Sequence, residues 1–136
     1  MVIMLHACDN ATDEGIVQSI KFNAKIIIAV PCCQHEFFSQ LKNDSLKPMM
    51  QHGIIKERLS ALVTDSLRAQ ILKAVGFDVS VMEFIETEHT PKNIAIRAVR
   101  KGVFNKAAFE EYTAFRDNFA LNPYIEKRFK EENILK

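Results

Sequence analysis

Five apolar residues run unbroken from Ile26 to Val30, and the chain then breaks at Pro31 into Cys32-Cys33-Gln34-His35-Glu36. A short continuous apolar run reads as a strand buried on both faces, the habit of parallel sheets covered by helices. Proline has no amide hydrogen to give to a ladder, so the strand ends there. In open α/β sheets ligands sit beyond the carboxyl ends of the strands. The cluster of two thiols, an amide, an imidazole and a carboxylate from Cys32 to Glu36 is therefore expected where such a fold does its chemistry.

The strand has a parallel neighbour upstream. Val2-Ile3-Met4-Leu5 is apolar from the second residue, and His6 to Asp13 is the polar turn after it. Asn10, Thr12 and Asp13 are all good helix N-caps. From Glu14 to about Phe22, Ile16, Val17 and Ile20 are spaced for one helical face, and Asn23 tolerates the left-handed conformation that ends a helix. Strand, helix and strand in this span form a right-handed parallel crossover. Domains rarely open on a buried central strand. Either Val2–Leu5 lies at an edge, or a segment that normally precedes it is missing.

Gln34 to Gly53 is expected to be irregular, with Phe37, Phe38 and Leu41 in a short helix and breaks at Lys47-Pro48 and Gly53. A long helix follows, with an apolar stripe of Ile55, Leu59, Leu62, Val63, Leu67 and Ile71 and a stop at Gly76. Phe77 to Val81 alternates and continues through Phe84-Ile85 as a third strand. Glu86 to Lys92 is a polar loop and Asn93 to Arg100 a fourth strand, and two strands so joined must be antiparallel neighbours. Lys106 to Leu121 and Tyr124 to Leu135 read as terminal helices, with Phe109, Tyr112, Phe115 and Phe119 on one face and Pro123 at the start of the last. The expected fold class is α/β: two parallel strands plus a C-terminal antiparallel hairpin, flanked by helices, in one domain over 1–136, with sheet and helices in 1–103 and the C-terminal helices in 104–136.

Composition excludes several classes. A formal net charge of +1 demands neither nucleic acid nor membrane, and no apolar run approaches the roughly 20 residues of a membrane span. Three cysteines, two of them adjacent, make no secreted disulfide framework, and no signal peptide is visible, so reduced thiols in the cytoplasm are expected.

Four motifs occur in order: His6-Ala7-Cys8-Asp9-Asn10-Ala11-Thr12-Asp13, Pro31 to Glu36, Lys56-Glu57-Arg58-Leu59, and Glu88-His89-Thr90-Pro91-Lys92-Asn93. With the element order, they make the chain resemble the C-terminal part of a class I, Rossmann-like S-adenosylmethionine-dependent methyltransferase. The first two turns also resemble, more distantly, eukaryotic tRNA ribose methyltransferases. The resemblance implies S-adenosylmethionine as cofactor, met by His6, Ala7 and Cys8. It implies that Asp9 and His35 serve catalysis, and that Pro31, Cys32, Cys33, Gln34, Lys92 and Asn93 face substrate. A carboxylate at Asp9 can take a proton from the methyl acceptor or orient it; equally, Asp9 or Asp13 can simply cap the next helix, with Asp13 the better cap. The chain departs from the family in two respects: Gly15, Gly53, Gly76 and Gly102 form no glycine-rich cofactor turn, and the carboxylate that holds the cofactor ribose after the family's second strand is absent too. A substrate-side half, inactive alone, is the expectation.

Other readings stay open beside it. Cys32, Cys33 and His35, joined by Cys8, invite zinc, but adjacent cysteines on an extended chain point to opposite sides and structural sites space their ligands further apart, so no metal is expected. A nucleophilic Cys-His pair lacks an orienting partner. Lys92, Arg97, Arg100, Lys101 and Lys106, with no acidic residue between Pro91 and Phe109, could face RNA phosphates or guard an edge strand by charge. Finally, an unpaired edge at Val2–Leu5 could recruit a missing N-terminal half or a second copy, making the chain a non-enzymatic interaction module.

Overall fold

The computed structural model describes residues 1–83 and 93–135. The chain runs β1 (Val2–Leu5), α1 (Asn10–Lys21), β2 (Ile26–Val30), a 3-10 turn at Asp44–Leu46, α2 (Lys47–Met50), α3 (Gly53–Ala74), β3 (Phe77–Glu83), β4 (Ile94–Arg100), α4 (Lys106–Asn118) and α5 (Tyr124–Glu131). The expected continuation of β3 through Phe84-Ile85 and the loop from Glu86 to Lys92 lie outside the described residues.

The four strands form one sheet in the order β1-β2-β4-β3. β1 and β2 are parallel, with Val2 opposite Ile27 and Leu5 opposite Val30. β4 is antiparallel to both of its neighbours, with Ile27 opposite Ala98 on one side and Val79 opposite Ala98 on the other. The α/β class, the parallel pair and the antiparallel hairpin are therefore as expected, and the sheet is a partial Rossmann-like one. The last strand inserts between the second and third.

Side chains alternate across a strand, so the register sorts them into two faces. Val2, Met4, Ile27, Phe77, Val79, Ile96 and Ala98 share one face and pack into the core with Ile16, Leu67, Ile71, Tyr112 and Phe129 from the helices. Ile3, Leu5, Ile26, Ile28 and Val99 share the other face, and none belongs to that core. Ile3 and Leu5 are 52% and 55% exposed. The unbroken apolar run of β2 was expected to be covered on both faces. It is covered on one, and Ile26 and Ile28 are only half-buried. An apolar run reports what a strand is suited to face, and the described residues supply a helical layer on a single side.

Helix α3 also departs from its expected stripe. Val63, Leu67 and Ile71 are buried, but Ile55 and Leu62 are exposed. Their place on the buried face is taken by Ser60, Thr64, Asp65 and Arg68. The hydroxyls of Ser60 and Thr64 are satisfied by the carbonyls one turn earlier, at Lys56 and Ser60. At its end, Gly76 adopts φ 94°, the left-handed stop that a β-carbon would resist. The segment Phe37–Leu41 forms turns and no helix, and Lys47-Pro48 opens α2 instead of breaking the chain, since proline suits a first helical turn.

Candidate functional site

Because β1 and β2 are adjacent and parallel, their exits lie side by side and the two turns knit together. The His6 amide donates to the Val30 carbonyl at 2.9 Å, and the Asp9 amide to the Cys33 carbonyl at 2.9 Å. The His35 amide donates to Asp9 Oδ1 at 3.3 Å. Two non-glycine residues take positive φ here, His6 at 56° and Asp9 at 48°, a conformation that persists only where the surroundings hold it. Thr12 Oγ1 donates to the Ala7 carbonyl at 2.6 Å, and Arg68 Nη2 to the Asp9 carbonyl at 2.8 Å.

Asp9 and His35 thus sit on one rim. Their contact runs through the His35 backbone, and the His35 side chain, like that of His6, is exposed. Cys8, Cys32 and Cys33 bring their sulfurs within 4.8 Å of one another, with Cys8 Sγ and Cys32 Sγ 3.2 Å apart. Cys32 and Cys33 lie beyond the end of β2 at Val30, and both bring their sulfurs toward Cys8.

Asp13 does not cap α1. The N-cap residue is Asp9, which makes no side-chain cap bond. The fully buried Asp13 carboxylate instead receives Arg68 Nε at 2.7 Å and Nη2 at 3.1 Å. Arg68 also reaches Asp65 Oδ1 at 3.2 Å, and Gln34 Nε2 donates to Asp65 Oδ2 at 2.8 Å. Burial pushes the Asp13 carboxyl up while the Arg68 guanidinium pulls against it, and burial lifts Asp65 to about 6. This network was missed in the sequence. Its one signal is a cation and an anion three residues apart on the stripe of α3 that also carries Val63, Leu67 and Ile71.

Gln34, expected to face substrate, is therefore buried and half-committed. Its Nε2 is taken by Asp65, while its Oε1 is buried without a partner. It lines a cavity of about 390 Å³ with Pro31, Asp65, Leu62 and Ile94. A separate, wider cleft of about 820 Å³ is bounded by Asn10, Glu36, Arg116 and Tyr124. There Glu36 accepts the Tyr124 amide at 2.5 Å, and burial pushes its carboxyl up to about 7.

The remaining expected residues scatter. Asn93 is buried just ahead of β4, and Lys92 lies outside the described residues. Of the basic run, Arg100 is spent internally: it donates to the Ala24 and Ile20 carbonyls and stacks on Phe77 at 4.8 Å. Lys106 lies 3.6 Å from Glu110, while Arg97 and Lys101 are exposed.

The two exit turns of the parallel pair interlock at the carboxyl edge of a partial Rossmann-like sheet, the edge where open α/β folds generally place their ligands. Residues 1–40, which span β1, α1, β2 and both turns, match the family model of a methyltransferase domain. The match supports a methyltransferase domain in this chain. No curated protein and no solved structure matches it. No helix among the described residues is long and apolar enough to cross a membrane.

Proposed function

We propose that this chain supplies the acceptor-side half of an S-adenosylmethionine-dependent methyltransferase. The observation that carries the proposal is the interlocked rim, in which the Asp9 carboxylate is held by the amide of His35 and both turns lie within the stretch matching a methyltransferase domain. When bound, the cofactor supplies an electrophilic methyl group. Methyl transfer is displacement at carbon, so much of the catalytic effect is positioning. Asp9 holds or accepts the proton of the acceptor atom, and His35, exposed beside it, offers a second hydrogen-bonding group. Gln34 Oε1, buried and unpaired at the small cavity, takes a hydrogen-bond donor of the acceptor.

The residues fit the methyl-facing edge of the cofactor and not its body. His6, Ala7 and Cys8 border the rim, but Gly15 lies inside α1, Gly53 opens α3, and Gly76 and Gly102 follow α3 and β4. RNA is the acceptor class in this proposal, with Arg97 and Lys101 as its phosphate-facing groups. Calorimetry with S-adenosylmethionine tests the half-site. The purified chain is expected to show no binding in the micromolar range, and micromolar binding overturns the division of the site.

A second reading has its own observation. Among the described residues nothing pairs with the outer edge of β1, and on the adjoining apolar face Ile3 and Leu5 are exposed and Ile26 and Ile28 half-buried. Such an edge recruits a partner strand, and we propose the cofactor-binding half, or a second copy of this chain, as its occupant. Light scattering after size exclusion is expected to show self-association of the isolated chain. A strict monomer at high concentration rules out the second copy.

A further inference from the structure

The methyl-transfer proposal sets Cys8 at the cofactor edge of the rim but gives none of the three sulfurs a chemical step, and their geometry assigns them a role that does not depend on it. All three cysteines are free. Cys8 follows β1, while Cys32 and Cys33 follow β2, so the parallel pairing of these strands delivers all three sulfurs to one point of the rim. Their positions are held from several sides. The amides of His6 and Asp9 bracket Cys8 and bind the carbonyls of Val30 and Cys33, which bracket Cys32. Arg68, only 1% exposed, anchors the Asp9 carbonyl from beneath. Cys32 Sγ lies 3.4 Å and Cys8 Sγ 3.9 Å from the His6 carbonyl, which takes their weak hydrogen bonds.

A zinc ion held by thiolates at ~2.3 Å in a tetrahedron places its sulfurs about 3.8 Å apart. The sulfurs here span 3.2 Å for the closest pair and no more than 4.8 Å for any. Changes of about 0.6 Å for the closest pair and no more than ~1 Å for any other, within the reach of side-chain rotation, close the site. An all-sulfur set selects a soft or borderline ion and rejects magnesium and calcium, which want oxygen. We infer that Cys8, Cys32 and Cys33 form a three-thiolate zinc site at the carboxyl edge of the sheet. Neither His6 nor His35 joins the cluster, and Cys8 is exposed. Among the described residues none supplies a fourth ligand, which leaves the position open as in zinc sites that take a water or a substrate atom and unlike closed structural ones.

The test uses the full chain, reduced and stripped of metal, titrated with zinc against a chromophoric chelator and separately with cobalt(II). The expected result is one zinc ion per chain and a cobalt spectrum with thiolate charge-transfer bands and tetrahedral ligand-field bands. Cys8→Ser, Cys32→Ser and Cys33→Ser should each weaken zinc at least ~100-fold, above the losses usual for residues that merely support a ligand. Circular dichroism checks that each variant is folded. For any that is not, the wild-type chain supplies the readout: zinc should slow iodoacetamide alkylation of all three cysteines. An octahedral cobalt spectrum, zinc affinity unchanged by the serine variants, or alkylation indifferent to zinc overturns the inference. So does a stable Cys8–Cys32 disulfide that forms in air and is not prevented by zinc. Tight copper(I) binding with no retention of zinc overturns the choice of ion.

Discussion

Replacing Arg68 by leucine tests whether the buried ion network holds the rim in place. The guanidinium makes two bonds to Asp13, one to Asp65 and one to the Asp9 carbonyl, and its side chain is 1% exposed. Leucine fills part of the volume but leaves two buried carboxylates with no cation. Breaking a buried pair by removing one partner costs about 3–5 kcal/mol, a large share of the ~5–15 kcal/mol that stabilises a domain. Urea unfolding followed by circular dichroism should show a loss of that size at pH ~7.5. Without Arg68 the folded-state carboxyls of Asp13 and Asp65, already raised by burial, rise further above their unfolded values. A group raised on folding adds stability at low pH that disappears as pH climbs through its folded value. The deficit of Arg68→Leu should therefore shrink at pH ~5, and adding Asp13→Asn with Asp65→Asn should restore most of the loss at neutral pH. A cost below about 1 kcal/mol that is the same at both pH values would refute the account.

Glu36 and Gly76 give two further checks. The Glu36 carboxyl rises from 4.5 to about 7 on folding through burial, so the stability it adds is complete below its unfolded value and is lost as pH rises through 7. Full conversion of that shift would be ~3 kcal/mol; screening in an open cleft reduces it to about 1–2 kcal/mol. Glu36→Gln, which keeps an acceptor for the Tyr124 amide, should be more stable than the parent by that amount at pH ~8 and no more stable below pH ~4.5. Equal denaturation midpoints at both pH values would remove Glu36 as a titrating group. Gly76→Ala meets both a positive φ of 94° and the Val103 carbonyl oxygen, 2.7 Å from the added carbon, whereas Gly102→Ala has φ 85° and open space. Thermal melts should show the first losing ~2 kcal/mol or more and the second about 1 kcal/mol, and equal losses would mean that the Val103 contact relaxes freely.

Local pattern carried a good deal of this fold. The apolar runs placed β1 and β2 to within a residue, Asn23 and Gly76 marked helix ends through the left-handed conformation they do adopt, and the short polar sequence between the last two strands pointed to the antiparallel pairing that β3 and β4 show. That the exits of β1 and β2 meet followed from parallel pairing alone. What stayed hidden depends on partners distant in sequence. Asp13 resembles a cap until Arg68, 55 residues later, is known to reach it. Arg68 itself breaks an apolar stripe, and only its ion pair with Asp13 on α1 shows that the break is paired. Periodicity cannot say how many faces of a strand find cover, so the bare side of β2 was invisible. The sequence could not show that Cys8, from the other exit turn, brings its sulfur to those of Cys32 and Cys33.

The position of β4 has a consequence for how the sheet assembles. β2 lies between β1 and β4, yet Ile94 is synthesised 64 residues after Val30. At ~5–20 residues per second, a ribosome needs about 3 to 13 s to make that intervening stretch. Throughout that interval the nascent β1-α1-β2 unit shows its most apolar strand along a free margin. β3, completed in the meantime, must stand aside and leave a gap one strand wide. Hydrogen exchange on ribosome-stalled chains that end before Ile94 should therefore show protection of the amides shared by β1 and β2 and none of those in β3, whose partner arrives last.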